Sequence, residues 1–445
     1  MLFLNIMKIK SLENKKVLVL GLGREGIDNL KFLRKVFPKK LLGVGDALRL
    51  SQLSKKTQKV INKDRKLRRH LGKDYLKALR RYDVILKTPG IPPKIIVPFL
   101  GKTKKITSQA EIFFDNCPGK IIGITGTKGK STTTSLIYKV LKENSVKAHL
   151  VGNIGKPVLS LLLKSTPKDI YVYELSSYQL FNLKRSPHVA VLLNIFPEHL
   201  DYHRNFKEYI KAKSNITRYQ NKKDFFIFNS QNKIVRQIAQ KSKAKKISID
   251  SIKVKKFTTH LLGEFNFQKI KAAFAIARIF KIPDKKIIGS IKKFKPLPHR
   301  LEYIGTYKGI KFYNDALSTI PQATIEALNT LGSKVETIFL GGYERNLSYR
   351  TLIKRILKSK IKTIILFPAT GERIWREMLT LKGKRRFKVF LVQNMKDGVK
   401  LSFEYTGRGK ICLLSTAAPS FSLWRDYKEK GNLFKKYVKL YGQKK

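Results

Sequence analysis

A glycine-rich turn that ends in Lys130 and Ser131 is suited to binding phosphate. Gly126 and Gly129 allow backbone N–H groups to point at phosphate oxygens, Lys130 supplies positive charge, and the Ser131 hydroxyl can ligate Mg²⁺. We predict a strand before this turn and a helix after it, opened by three threonines. The common phosphate loop has its first glycine where Ile124 stands here. The flanking elements still favour a nucleotide site over a chance turn in a lysine-rich chain.

A second glycine-rich turn contains Gly21, Gly23 and Gly26 and follows the first predicted strand. Asp46 comes about 20 residues later, which is the outline of a dinucleotide-binding fingerprint. This turn alone is compatible with a nicotinamide-dependent enzyme. That interpretation leaves the turn before Ser131 without a function, so we rank it below a nucleotide triphosphate enzyme.

The elements that must position these turns are short aliphatic runs that alternate with longer helical patterns. Such alternation predicts an α/β fold with parallel sheets covered by helices. The clearest predicted strands are 16–20, 84–87, 120–125, 170–173, 189–194, 225–229, 311–313, 337–340, 363–367 and 411–414. Polar residues follow many of them, at the strand ends where ligands bind in open parallel sheets: Lys130, Glu174, His199, Asp315, Arg345 and Ser415.

Two candidate joints divide the chain. Residues 116–119 and 295–298 contain proline in positions that interrupt regular structure, which predicts three domains over residues 1–117, 118–296 and 297–445. The lysine-rich segment 241–246 is predicted to be a solvated loop or helix face.

The chain of 445 residues carries a formal charge of +64, from 94 Lys and Arg against 30 Asp and Glu. Basic residues occur in every segment and form no single stripe, so we expect polyanionic small substrates and no specific nucleic acid. Cys117 and Cys412 lie far apart, which predicts neither a disulfide framework nor a zinc site. No apolar run approaches the roughly 18 residues that cross a bilayer. We expect a cytoplasmic monomer without a membrane-inserted segment.

Residues 125–133 (TGTKGKSTT) resemble the ATP loop of the Mur ligase family. Further matches follow in the order of the family: 152–155, 174–180, 194–201, 212–213, 299–302, 314–315, 340–342 and 414–415. The resemblance covers nearly the whole chain. It implies a Rossmann-like N-terminal domain, a central P-loop-type ATPase domain and a C-terminal Rossmann-like domain.

The resemblance also implies roles for individual residues. Those implied to bind ATP are Gly126, Thr127, Lys128, Gly129, Lys130, Ser131, Thr132, Asn266, Arg300 and Asp315. Mg²⁺ is implied at Ser131, Glu174, His199 and Lys213, the last as a CO₂-derived carbamate, and the catalytic set is Lys130, Glu174, His199 and Lys213. A UDP-sugar is implied at Gly21, Leu22, Arg24, Asp46, Thr88, Asn153 and Ser176. Glutamate is implied at Thr319, Arg345, Ser415 and Phe421.

Several positions depart from the family pattern. Phe265 and Lys269 replace a histidine and an asparagine near the adenine-contacting Asn266, and Leu317 stands where a lysine is common. Arg345 replaces a lysine, and its guanidinium can hold a carboxylate through two hydrogen bonds.

The implied activity is the ATP-dependent addition of glutamate, with D-glutamate preferred, to UDP-N-acetylmuramoyl-L-alanine through an acyl phosphate. Three alternatives stay open. The chain could use L-glutamate, it could be another amino-acid ligase of the family, such as a folate or different muropeptide ligase, or it could be a catalytically weakened homologue that binds nucleotide or nucleic acid.

Overall fold

The computed structural model describes residues 7–101, 105–255, 257–381 and 387–443. The chain divides into two units, Met1–Phe257 with Gln268–Ile291, and Thr258–Phe267 with Lys292–Lys445. Among the described residues, no helix is both long and apolar enough to cross a bilayer.

The first sheet is parallel and has the strand order β3-β2-β1-β4-β5. Its strands are β1 Val17–Leu20, β2 Leu42–Asp46, β3 Leu67–Leu71, β4 Val84–Lys87 and β5 Lys105–Thr107. The helices are α1 Met7–Lys10, α2 Arg24–Val36, α3 Lys55–Lys63, α4 Pro93–Ile96 and α5 Gln109–Asn116, with 3₁₀ turns at Leu50–Gln52, Tyr75–Arg81 and Val97–Phe99. Strands β1 and β4 are buried along their whole length because they lie at the centre of the sheet.

The second sheet is also parallel, in the order β11-β10-β9-β6-β8-β7. Its strands are β6 Lys120–Thr125, β7 Ala148–Gly152, β8 Ile170–Glu174, β9 Val189–Leu192, β10 Phe225–Phe228 and β11 Lys245–Ser248. The helices are α6 Lys130–Glu143, α7 Leu159–Leu162, α8 Ser177–Leu180, α9 Phe206–Arg218, α10 Lys233–Lys241, α11 Glu264–Ile279 and α12 Asp284–Lys292.

The prediction of a loop or helix face for residues 241–246 is wrong for the last two residues. Lys241 ends α10, but Lys245 and Lys246 begin the edge strand β11 with their side chains exposed. An edge strand tolerates lysines because one side of it faces solvent.

The third sheet, in the second unit, has the order β12-β13-β17-β14-β15-β16. Its strands are β12 Glu302–Tyr307, β13 Ile310–Asn314, β14 Val335–Gly342, β15 Thr363–Ala369, β16 Lys388–Leu391 and β17 Ile411–Leu414. β12 and β13 pair antiparallel, and the other pairs are parallel. The helices are α13 Pro321–Leu331, α14 Arg350–Leu357, α15 Thr370–Thr380, α16 Met395–Tyr405 and α17 Tyr427–Gln443, with a 3₁₀ turn at Gly332–Lys334.

Polar contacts join the first two sheets within the first unit. The Asp28 carboxylate on α2 accepts hydrogen bonds from Gln109 Nε2 at 3.1 Å and from the Leu159 N–H at 3.2 Å. The Arg24 guanidinium donates to the carbonyl oxygens of Gly152 and Asn153 at 2.8 and 3.1 Å. The two glycine-rich turns therefore lie on one connected framework.

All ten predicted strands are present, and the α/β class with parallel sheets is confirmed. Each of the three predicted domain ranges contains one sheet. The boundaries at residues 117 and 296 stay predictions.

Candidate functional site

The turn between β6 and α6 has a shape fixed by contacts from the neighbouring strand end. Gly126 and Gly129 have φ of 155° and 90°, which a side chain would disfavour. The N–H of Thr127 donates to the Asn194 carbonyl at 2.8 Å, and the N–H of Lys128 donates to Asn194 Oδ1 at 2.9 Å. Asn194 follows β9. The segment after β9 therefore holds the glycine-rich turn that follows β6.

Two lysines converge on the carbonyl oxygen of Gly126. Lys130 Nζ donates to it at 2.9 Å and also to the Thr127 carbonyl at 2.9 Å. Lys213 Nζ, which comes from α9, donates to the same Gly126 oxygen at 2.9 Å. Two predicted site residues far apart in sequence therefore share one acceptor at the turn.

Lys213 is a fully buried lysine. Its Nζ lies 4.9 Å from the centre of the Tyr209 ring, and the Tyr209 hydroxyl is 2.9 Å from Thr127 Oγ1. Burial, and then the nearby Lys130, lower the pKa of Lys213 well below its ordinary value, while Glu198 and Glu174 oppose the shift. The amine is therefore favoured in its neutral, nucleophilic form.

Glu174 ends β8 and pairs in register with Ile124 of β6. Its carboxylate therefore lies at the carboxyl ends of these strands, where the glycine-rich turn begins. The side chain is 3% exposed, and its buried Oε2 has no hydrogen-bond partner among the described residues. A buried carboxylate oxygen without a donor is costly in an isolated protein. This orphaned oxygen fits a site for a cation.

His199 is held by Tyr178, whose hydroxyl lies 2.7 Å from Nδ1. Burial lowers the pKa of His199 to about 4, so the imidazole is neutral near pH 7 and can act as a ligand. Among the described residues, no group of three or more His, Cys, Asp or Glu could hold a metal ion. A metal beside Glu174 and His199 would therefore need other donors, for which the Ser131 hydroxyl and a modified Lys213 are suited.

Glu198 was not predicted as a site residue, although it precedes His199. Its Oε1 pairs with Lys128 Nζ at 2.7 Å. Burial works in the opposite direction, but Lys128, His199 and Lys130 lower the pKa of Glu198 to about 2. Lys128 is thus engaged through both its ammonium and its backbone N–H, and its contribution to the turn is to hold it in place.

A cavity of about 610 Å³ opens beside the first glycine-rich turn. Leu22, Arg24 and Asp46 line it, which are three of the seven residues predicted to bind the UDP-sugar. Asp46 Oδ2 accepts the Leu22 N–H at 2.7 Å and so shapes the turn. The volume is typical of a small-molecule pocket.

The other four predicted UDP-sugar residues lie outside the lining of this cavity. A Cβ on Gly21 would lie 2.0 Å from Thr88 Oγ1, so Gly21 and Thr88 are in close contact. The Asn153 carbonyl accepts from Arg24 at 3.1 Å. Ser176 caps α8, with its hydroxyl accepting the Gln179 N–H at 3.2 Å.

A buried polar group that was not predicted from the sequence connects the first turn to His199. Gln179 Nε2 donates to Glu25 Oε1 at 2.8 Å, while Glu25 Oε2 is buried with no partner among the described residues. Burial raises the pKa of Glu25 to about 7 and lowers that of Lys87 to about 8. Lys87 Nζ lies 3.5 Å from the Tyr202 hydroxyl, and Tyr202 stacks on Tyr178. The sequence signals were the position of Glu25 inside the first glycine-rich turn and of Lys87 at the end of a predicted strand, directly before Thr88.

In the second unit, Asp315 is the centre of a buried hydrogen-bond group. Its carboxylate accepts from the Leu301 N–H at 3.0 Å, from Ser415 Oγ at 2.9 Å and from Ser318 Oγ. Burial raises the pKa of Asp315, although these donors and Arg300 act against the shift. Asp315 and Ser415, which follow the paired strands β13 and β17, are therefore brought together.

Other predicted residues of the second unit are less buried than Asp315 and Ser415. Arg345 is half-buried after β14, and Phe421 is 62% exposed with its ring 6.3 Å from that of Tyr343. Asn266 Nδ2 donates to the Leu262 carbonyl at 2.7 Å near the start of α11. The roles of Asn266, Arg300 and Asp315 towards ATP, and of Thr319, Arg345, Ser415 and Phe421 towards glutamate, stay predictions.

Comparison with known proteins agrees with this architecture. The family model for the Mur ligase middle domain matches residues 124–287. A UDP-N-acetylmuramoylalanine–D-glutamate ligase of Acetivibrio thermocellus is 31% identical over 460 residues, covering 96% of this chain and 97% of the relative. The Clostridium kluyveri protein of the same name is 33% identical over 457 residues, covering 95% and 96%.

Solved structures show the same fold at low identity. The MurF ligase from Thermotoga maritima in complex with ADP has a TM-score of 0.57 at 16% identity, over 81% of this chain and 90% of that one. The UDP-N-acetylmuramate-alanine ligase MurC of the same organism has a TM-score of 0.57 at 14% identity, over 96% and 99%. The chain belongs to the Mur ligase family. It is an ATP-dependent ligase that forms amide bonds.

Proposed function

We propose that the protein adds D-glutamate to UDP-N-acetylmuramoyl-L-alanine at the expense of ATP, releasing ADP and phosphate, in cytoplasmic synthesis of peptidoglycan precursors. The relatives that match over nearly the whole chain carry the name of this activity. The proposal is supported above all by Lys130 and Lys213, which both donate to the Gly126 carbonyl. Glu174 lies at the carboxyl end of the neighbouring strand β8.

In the proposed reaction, the alanine carboxylate attacks the γ-phosphorus of ATP, and the bond to the ADP oxygen breaks. The glutamate amine then attacks the carbonyl carbon of the acyl phosphate, the bond to phosphate breaks, and the nitrogen loses a proton. Lys130 Nζ, which donates to the Gly126 and Thr127 carbonyls at the turn, would neutralise charge on the transferring phosphoryl group.

Mg²⁺ would be held by Ser131, Glu174, His199 and a carbamylated Lys213, and it would supply positive charge to the phosphate oxygens. The orphaned Glu174 Oε2 supports this assignment. A carbamate forms when a neutral amine attacks CO₂ and loses a proton. Burial disfavours an ammonium at Lys213, and the neighbouring Lys130 ammonium favours an anion in its place.

The first-unit cavity is the proposed site of the uridine end of the acceptor. We expect Asp46→Ala to raise KM for UDP-N-acetylmuramoyl-L-alanine about tenfold while KM for ATP stays within about twofold, because a charged acceptor of the Leu22 N–H is lost at the cavity wall. Steady-state phosphate release at varied acceptor and varied ATP measures both constants. Asp74→Ala, an exposed carboxylate of the same sheet region, is the control. Equal changes in the two KM values would contradict the assignment of this cavity to the acceptor.

The function is tested by phosphate release with purified protein, ATP and Mg²⁺. The acceptor is varied between UDP-N-acetylmuramoyl-L-alanine, UDP-N-acetylmuramate and a folate, and the amino acid between D-glutamate and L-glutamate. Release that needs both UDP-N-acetylmuramoyl-L-alanine and D-glutamate supports the proposal. Release that needs L-glutamate or another acceptor assigns the protein to a sibling activity.

A further inference from the structure

Lys430 on α17 is a buried lysine that the reaction described above does not use. Its side chain is 0% exposed, and Nζ donates to Thr416 Oγ1 at 2.6 Å. Lys430 lies in the first turn of α17, where the helix dipole also disfavours a positive charge. Burial lowers the pKa of Lys430 to about 7, and Asp315 is the charged group that opposes the shift.

This placement is poor for stability. A buried ammonium has three protons to donate, and among the described residues Lys430 Nζ has the one hydrogen bond, to a neutral hydroxyl, together with a ring contact to Trp424. An apolar side chain of similar size in such a position is often neutral or stabilising. A reason for a lysine here must come from something other than the free energy of unfolding.

Thr416 connects Lys430 to the proposed amino-acid site. Its hydroxyl donates to the carbonyl oxygens of Ala418 at 3.0 Å and Ser318 at 3.5 Å. The preceding residue, Ser415, donates to Asp315 at 2.9 Å. Lys430 thus lies next to two loops, residues 315–319 and 415–418, which contain two of the four predicted glutamate contacts, Thr319 and Ser415. Residues 315–319 contain no basic side chain of their own, since Leu317 is apolar.

We propose that Lys430 is a positioning residue of the amino-acid site, whose amine fixes the Thr416 hydroxyl and with it the loops that carry Thr319 and Ser415. The inference rests on the proposed function, because it assumes that the second unit binds glutamate. It adds a residue that acts through Thr416 and does not touch the substrate.

The test compares Lys430→Met, Thr416→Val, the double variant and the control Lys435→Met. Lys435 is on the same helix and forms a half-buried ion pair with Glu302. We expect Lys430→Met to raise KM for glutamate about tenfold, the size of a lost buried hydrogen bond, with KM for ATP within about twofold. Its Tm should equal or exceed that of the wild type. Thr416→Val should raise KM for glutamate in the same direction, and the double variant should add little to either change.

Two results would overturn the inference. One is an unchanged KM for glutamate in Lys430→Met, and the other is a parallel loss for both substrates together with a lower Tm, which is the signature of a purely structural lysine. If Lys430→Met does not fold, an unchanged KM for glutamate in Thr416→Val overturns the inference by itself. Wild-type protein that shows no glutamate-dependent phosphate release would instead contradict the proposed function, so the two failures are distinguishable.

Discussion

Replacing Lys130 by methionine is expected to lower kcat/KM for ATP about a thousandfold while leaving the fold intact. Methionine keeps most of the volume but removes the ammonium that lies over the Gly126 and Thr127 carbonyls, and a preorganised charge at the phosphoryl group is among the largest contributions to catalysis. The measurement is phosphate release under saturating acceptor and glutamate, with circular dichroism as the check on folding.

Lys139→Met is the matched control for this variant. Lys139 lies on the same helix, α6, and pairs with Glu143 at the surface. Its replacement should change kcat/KM by less than about twofold, since exposed ion pairs contribute little. A Lys130→Met protein that keeps activity within about fivefold of the wild type would mean that the turn does not bind the transferring phosphate.

Replacing Lys213 by methionine or by arginine is expected to lower kcat at least about a hundredfold in both cases. The two variants distinguish the effect of charge from that of side-chain size, because arginine keeps a cation whereas a carbamate is an anion. An arginine variant with wild-type activity would contradict the carbamate. The buried setting of Lys213 behind Gly126 makes a Tm measurement necessary beside the rates.

The same proposal predicts that wild-type activity depends on dissolved CO₂. Activity should fall when buffers are stripped of CO₂ and return when bicarbonate is added. The residual rate of Lys213→Met should not respond to either treatment, which controls for effects of bicarbonate elsewhere. A wild-type rate that is insensitive to prolonged CO₂ removal would count against the modification.

The strands that sequence analysis predicted are mostly the central ones, and the strands it missed have physical reasons to be inconspicuous. β3 (LRRHL) and β11 (KKIS) are edge strands with charged, exposed side chains, so neither has a continuous apolar run. β2 contains Gly43, where a Cβ would lie 2.4 Å from the Tyr82 ring. That glycine is explained by packing against a residue distant in sequence, which no local pattern reveals.

The residues of the candidate site likewise divide into those that were predictable from the sequence and those that were not. Lys130 and Glu174 were predictable from a motif and a strand end, whereas Lys213 was predicted only through the family resemblance. The structure brings Lys130 and Lys213 to one carbonyl oxygen. Glu25, Lys87 and Lys430 were not predictable, because their significance comes from burial and from partners elsewhere in the chain. The Lys87–Tyr202 contact, for example, spans 115 residues of sequence.

The central claim is that the turn at Gly126–Ser131 activates an acceptor carboxylate for amide formation with glutamate. Its most direct test is mass spectrometry of the product after incubation with ATP, Mg²⁺, UDP-N-acetylmuramoyl-L-alanine and D-glutamate, with phosphate measured in the same sample. We expect a new species whose mass is that of acceptor plus glutamate less one water, and one phosphate for each molecule formed. Phosphate released without that species, or no turnover with glutamate of either configuration, would contradict it.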